Sequence, residues 1–580
     1  MNNSADRTGA SLLPITVGVV GHRTLVESEI ERIQGQIKEI LLDIKNQAGE
    51  TPIFFLTALA VGADQIAAEV ALGIAGIKVI SILPMPIGEY EKDFKSTKEL
   101  ATFRDLLRDS YQVIEAKFFE PRALKGVRND APLKDFENQA LRDAAYRDCG
   151  RLISRQSHAL IAIWDGKISH APAGTVDTIS HRLGYLGEPL PHANQISFWP
   201  QEDGVLFHIQ AQRNESEGVV QTAEFLLEQI EVTVLNPDAD STKWEARSED
   251  FTIKKFGLLN ERLTRLEIPP QDVSLSLTDR LMNAIDLSAG EMQLRFRRLV
   301  ASLLIFGVLG VFLVDLEHDL SLALPYLLAI FFIIIMVITW IRFVKGDQKA
   351  NFYEFRTLAE GLRVQSAWLK CGIGFSASDE YIKGYPEVSW IPRAMRSAWF
   401  VDTLRELGNG SNFKFSNEIT RLQATGWIEG QINYFGQGGT ANGAIQRSRR
   451  KQRQYERLSL AGICLSLGCV LWDGASLVFS HTSWVASFHD LNSLLFHASL
   501  SISAASAAYS QLMAFQEISR QYEMNLRIFE RGLEILRRES EKYLVNREKV
   551  SEVVIHIGKE ALRETATWFA LKRDRVVHPI

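Results

Sequence analysis

Small and charged residues fall at four places where a strand gives way to a turn or a helix, and their types suit the binding of phosphate and ribose oxygens. They are Gly21-His22-Arg23, Gly62-Ala63-Asp64, Asp165-Gly166 and Ala173-Gly174-Thr175. Small residues at a helix N-terminus let an anion approach backbone N–H groups, and the helix dipole favours negative charge there. Arg23 would add a charge and Thr175 a hydroxyl. Each glycine alone fits a simple tight turn equally well, and Asp64 fits a helix N-cap as readily as a ribose contact. Cys149, Cys371, Cys464 and Cys469 form no CxxC pair and no Cys/His ligand spacing, which argues against structural zinc and suits a reducing compartment. The loop FGQGGTANG (Phe435 to Gly443) lacks the lysine and Ser/Thr of a P-loop and reads as a connector. No catalytic residue, metal or resident cofactor is expected.

Those turns need a sheet to hold them. ITVGVVGHR (Ile15 to Arg23) reads as a buried strand, followed by a helix with Ile30, Ile33, Ile37, Ile40, Leu41 and Ile44 on one side. TPIFFLTALAVGADQIAAEVALG gives a second strand, a turn at Gly62 and a helix starting near Asp64. IKVISILPMP, YQVIEA and HALIAIWDGK (His158 to Lys167) are the next strands, the last entered from a long helix, and GVLFHIQAQR is a late one. Continuous apolar runs are what parallel strands buried on both faces require, and such a sheet places ligands beyond the strands' carboxyl ends.

Composition averages conceal a strongly apolar second part of the chain. The 580 residues are 46% apolar and 23% charged with a mean hydropathy of -0.04, which excludes disordered, collagen-like and disulfide-scaffold classes. The 64 Lys+Arg against 70 Asp+Glu leave a net charge of -6 and no global field for nucleic acid, so no nucleic-acid partner is expected. The first dozen residues lack a basic and an apolar region, so a secretory signal is not expected and the N-terminal part should stay in the cytosol. Beyond the α/β domain lie two apolar segments, Leu299 to Leu316 and Ser321 to Val344, each long enough to cross about 30 Å of hydrocarbon as a helix. A weaker pair runs from Leu458 to Phe479 and from Asn492 to Ala514. The expectation is four spans in two hairpins.

Arg295, Arg297 and Arg298 precede the first span, Arg342 and Lys345 close the second, Arg447, Arg449, Arg450, Lys451 and Arg453 precede the third, and Arg520 and Arg527 follow the fourth. The outer loops carry no Lys or Arg, so both termini and the middle segment should face the cytoplasm. No proline interrupts the chain after the second or fourth span, so each inner helix should continue as a cytoplasmic stalk; FRTLAEGL and LRIFERGL make these exits look like related segments. Asp473 is the one charge well inside a predicted span, a pore or helix-contact candidate unless the span ends near Trp472. SISAASAAYS (Ser501 to Ser510) suits close helix packing in a membrane. The segments expected are therefore a flexible N-terminus at 1–13, the α/β domain at 14–235, a helical linker at 236–298, hairpins at 299–344 and 458–514 around a cytoplasmic helical segment at 345–457, and a C-terminal helix and tail at 515–580.

The series ITVGVVGHR, LTALAVGADQIAAEVA, ILPMPIGEYEKDF and ALIAIWDGK followed by AGTVDTISHRLG resembles the SLOG superfamily of Rossmann-like nucleotide-binding domains. The downstream hairpins resemble the two-span SLATT membrane effectors with which SLOG domains are associated in bacterial conflict systems. The fold implied is an α/β Rossmann-like (SLOG) N-terminal domain plus an all-α membrane region with four transmembrane helices and long cytoplasmic helices. The phosphoribohydrolase branch of SLOG carries a PGGxGTxxE loop; here Ala171 and Pro172 stand at its leading glycines, Thr178 stands at its glutamate, and Asp177 is one residue early. Loss of the carboxylate while Gly174-Thr175 persists favours binding without hydrolysis.

The resemblance implies a bacterial inner-membrane, multi-pass effector in antiphage defence, bound by a nucleotide-derived second messenger at Gly21, His22, Arg23, Gly62, Ala63, Asp64, Asp165, Gly166, Gly174 and Thr175. Its partners would be the lipid bilayer, further copies of itself and a separate signal-generating enzyme. The alternatives are a membrane-anchored hydrolase of nucleotides or NAD and a ligand-gated ion channel outside defence.

Overall fold

The computed structural model describes residues 12–115, 138–166, 174–182, 205–212, 233–234, 249–265, 275–320, 323–345, 348–381, 388–408, 417–436, 443–478, 483–540 and 547–573. Most of the expected N-terminus at 1–13, Lys167, Ala171 to Ala173 and the centre of the Gly-rich loop lie outside these residues.

Seven strands form one sheet: β1 (Ile15–Gly21), β2 (Ile53–Thr57), β3 (Ile77–Leu83), β4 (Gln112–Glu115), β5 (Ala159–Trp164), β6 (Val205–Gln210) and β7 (Thr233–Val234). Their order is β4-β3-β2-β1-β5-β6-β7, and every pairing is parallel. The strands β2 and β5 are buried at every position, as their unbroken apolar runs require. Six of the strands follow the apolar runs; β7 spans two residues, too few to show a period.

The helices among these strands are α1 (Ile30–Ala48), α2 (Ala63–Leu72), α3 (Ile87–Tyr90), α4 (Thr97–Asp109), α5 (Gln139–Gln156) and α6 (Thr175–Arg182). In α1 the buried residues Ile33, Ile37, Ile40, Leu41 and Ile44 form the expected inward stripe. Helix α4 opens with a capping box, in which Ser96 accepts from the Glu99 N–H and Glu99 reaches back to the Ser96 N–H.

Beyond the sheet the chain is helical: α7 (Glu249–Arg265), α8 (Leu277–Leu320), α9 (Ala323–Lys345), α10 (Gln348–Lys370), α11 (Trp390–Gly408), α12 (Asn417–Phe435), α13 (Ala444–Val478), α14 (Ser483–Leu512), α15 (Phe515–Ser540) and α16 (Arg547–Arg573). Two compact units result. Unit 1 is Met1–Ile285 with Leu358–Ser416, and unit 2 is Asp286–Thr357 with Asn417–Ile580. Residues 358–416, placed by linear reading inside one cytoplasmic segment, thus belong to the sheet's unit. The cause is α11, whose residues from Trp390 to Leu404 are nearly all buried, so it has no face for water. Its Arg396 donates to the Arg155 carbonyl at 2.9 Å, and the Leu404 carbonyl accepts from Gln112 at 2.7 Å.

Within unit 2, α12, α15 and α16 pack against one another, and α13 lies along α14. Three helices among the described residues are long and apolar enough to cross a membrane: Leu277–Val314, Leu324–Ile341 and Ala444–Ser476. Large apolar side chains such as Leu327, Phe331, Ile334, Leu467 and Leu471 point outward from them, as lipid contact demands. The fourth expected span falls in α14, where Ser and Ala lower the hydropathy, and it is not among the three.

Beyond the second span, residues 346–347 between α9 and α10 lie outside the described residues; beyond the fourth, the structure differs from the expected stalk. After α14 the helix breaks at Met513-Ala514, with Ala514 at φ +52°. Met513 and Phe515 turn into a cluster with Phe296 and Val300, flanked by Tyr455 and Tyr509, and this packing rather than a proline or glycine redirects the chain. The long uninterrupted helices are instead α8 and α13, which lead into the apolar segments.

Candidate functional site

Strands β1 and β5 are neighbours, and the sheet grows away from them in opposite directions, so the crevice beyond their carboxyl ends is the topological switch point. His22 and Asp165 meet there. The His22 ring is buried, with Nε2 3.0 Å from the Asp165 carboxylate and 3.1 Å from the Asp165 N–H, which donates to it. The two contacts differ in what Nε2 carries: a bare Nε2 accepts from the amide, and an Nε2–H donates to the carboxylate. The ring is thus fixed against the turn that follows β5.

The turn after β1 packs directly on the start of α2. A Cβ on Gly62, which has φ +88°, would sit 2.3 Å from the Arg23 carbonyl oxygen, and one on Gly21 would sit 2.3 Å from the Ala63 Cβ. Both glycines thus serve a chain-to-chain approach. The Ala63 N–H donates to the His22 carbonyl at 3.0 Å and the Gln65 N–H to the Ala60 carbonyl at 3.3 Å, so two donors of this helix start already have protein partners. Gly62, not Asp64, is the N-cap. Asp64 is enclosed, and burial pushes its carboxyl up to about 7, against the N–H groups of Ala60 and Ala58 and the charge of Arg23. The Ala58-to-Gly62 loop also holds Leu59 at φ +55°, a costly conformation for a buried leucine.

Arg23 lies 4.9 Å from the centre of the Tyr146 ring, a cation–π distance. Tyr146 donates its hydroxyl to Asp93, which also accepts from Arg142 at 2.5 Å. Arg142 reaches the Glu89 carbonyl at 3.3 Å, Lys92 pairs with Glu89 at 2.7 Å, and the Tyr90 hydroxyl donates to the Ala58 carbonyl at 3.1 Å. Burial raises both phenols and keeps them protonated as donors. None of Glu89, Tyr90, Asp93, Arg142 and Tyr146 stands out in the sequence. The one signal there is GEYEKD, four residues after β3, with Arg142 and Tyr146 one turn apart on α5.

The structure therefore brings Gly21, His22, Arg23, Gly62, Ala63, Asp64 and Asp165 together at one edge. Gly166 comes next at φ +78° with open space where a side chain would be. Gly174 and Thr175 start α6, in which Asp177 pairs with Arg151 of α5 through bonds of 2.8 and 3.1 Å and Arg182 donates to the Ser157 and His158 carbonyls at 2.9 and 3.0 Å. Thr178 is buried against Gly150, where a Cβ would sit 2.4 Å from its hydroxyl oxygen. Asp473 lies in α13, half-exposed, and its carbonyl accepts from the Ser476 hydroxyl at 2.8 Å. No protein-family model matches the chain, and no curated protein matches it significantly.

Proposed function

We propose that the chain is a membrane effector in which the carboxyl edge of the parallel sheet binds a nucleotide-derived signal and a four-span region responds by oligomerising or opening. The observation that carries this reading is the sharing of helices between the compact units. Helix α8 starts at Leu277 in unit 1 and runs on into unit 2 from Asp286, and α10 passes from Thr357 of unit 2 to Leu358 of unit 1. An unbroken helix gives a rearrangement at one end a direct route to the other, provided that ligand favours one of two arrangements.

The start of α8 is firmly held. Asp402 of α11 accepts from the Leu277 N–H at 2.6 Å, the Thr278 N–H at 2.9 Å and the Thr278 hydroxyl at 2.6 Å. Asp279 accepts from Ser366 at 2.5 Å and Lys370 at 2.9 Å, both on α10. Thus both shared helices are tied together inside unit 1.

In this reading α14 is the fourth span. Its support is the α13–α14 contact: Ser466 and Ser499 hydroxyls lie 2.7 Å apart, Ser459 and Ser503 3.0 Å apart, and a Cβ on Gly462 would be 2.5 Å from the Ser499 carbonyl oxygen. Polar groups turned onto a neighbouring helix leave the apolar remainder for lipid. The phosphate-seeking group is Arg23, with His22–Asp165 beside it. The nucleotide class, the bacterial inner membrane, a separate signal-making enzyme and the antiphage setting rest on the SLOG and SLATT resemblance, and the cytoplasmic termini on the basic flanks.

The test is a panel of cyclic, linear and NAD-derived nucleotides offered to the purified full chain. A thermal shift without turnover, weakened about tenfold or more by Arg23→Ala, a loss of about 1.4 kcal/mol, is expected. Release of a free base would make the protein a hydrolase, and unchanged affinity in Arg23→Ala would put the pocket elsewhere.

A further inference from the structure

We propose that the groove between α15 and α16 is the docking surface for a second copy of this chain. This deepens the oligomerisation in the reading above. The groove has a volume of about 910 Å³, and its floor is apolar, built from Ile528, Val553 and Ile557. The helices meet tightly at Gly532, where a Cβ would lie 2.1 Å from the Ile557 Cδ1. Met524 and Ile535 line the opening and are 58% and 36% exposed.

The two walls carry opposite charge. Arg520, Arg527 and Arg531 lie along α15, where Glu523 also lines the groove but is paired with Arg449, and Glu552, His556 and Glu560 lie at successive turns of α16. At about 1.5 Å per residue the cationic row spans roughly 16 Å and the acidic row roughly 12 Å, a usable match. Among the described residues neither Arg520 nor Arg527 has an ion-pair partner, while Arg531 and Glu560 are held only by exposed neighbours, Glu534 at 2.5 Å and Arg563 at 2.6 Å. Such exposed pairs exchange at little cost.

A groove with one cationic and one acidic wall is complementary to itself about a two-fold axis. Each copy's arginines then face the other's glutamates, while the exposed Met524 and Ile535 are covered. A partner of single charge would satisfy one wall and be repelled by the other, as would an anionic membrane surface meeting Glu552 and Glu560.

The experiment measures self-association of the full chain in detergent by sedimentation. Arg527→Glu and Glu552→Arg should each weaken association about tenfold, and the double variant should restore it. Met524→Glu, which leaves the charges intact, should also weaken it. Singles that associate like the wild type, or a double variant as weak as the singles, would overturn the proposal. So would an Arg527→Glu protein that loses only its adhesion to phosphatidylglycerol vesicles. The two readings fail separately: charge-swap rescue without any nucleotide response leaves the groove standing and removes the sensor.

Discussion

Asp64 is the residue whose behaviour most directly reports the candidate edge. Burial raises it from 3.8 to about 7, so the folded chain prefers it protonated while the unfolded chain ionises it from about 3.8. The stability it contributes is complete below pH 3.8 and is lost as pH rises through about 7. Asp64→Asn should remove that slope, gaining on the wild type by about 4 kcal/mol at most between pH 4 and pH 8 in melting experiments. A difference that does not change with pH would show that the carboxyl is not enclosed. At this scale the sequence was a partial guide. Gly21 and Gly62 are legible as special positions, but their cause is the Arg23 carbonyl and the Ala63 side chain, brought there only by folding. Tyr146 and Asp93 are 53 residues apart, and no local pattern couples them.

At the scale of elements, apolar runs locate six strands because parallel strands are buried on both faces, and the i, i+3, i+4 stripe locates α1. The break at Met513-Ala514 was not legible, because aromatic packing and not a helix breaker makes it. The continuity of α8 was only half legible: its apolar part is obvious, but its anchor lies on α11, 124 residues away. Burial pushes Asp402 up to about 6, against the Thr278 hydroxyl and the N–H groups it accepts. Asp402→Ala should leave two helix-start N–H groups without their acceptor and cost about 1–3 kcal/mol. Amide exchange at Leu277 to Leu281 should quicken while exchange in β1 and β5 stays slow. Unchanged exchange at these five residues would show that the anchor does not hold the helix.

For the whole molecule, a mean hydropathy of -0.04 averages a buried-sheet unit with outward-facing apolar helices, and neither is visible in the mean. The compact units also ignore chain order, since α11 returns to the sheet after the first hairpin. That return sets Asp402 against the start of α8, and under the proposed coupling Asp402→Ala should weaken any ligand response of the membrane helices without abolishing binding. The most direct measurement is dye release from liposomes carrying the full chain, with and without a nucleotide shown to bind it, for the wild type and Arg23→Ala. Ligand-dependent release in the wild type, absent at the same ligand concentration in Arg23→Ala, is the result expected. Release that is identical with and without bound nucleotide would contradict the coupling of the sheet's edge to the membrane region.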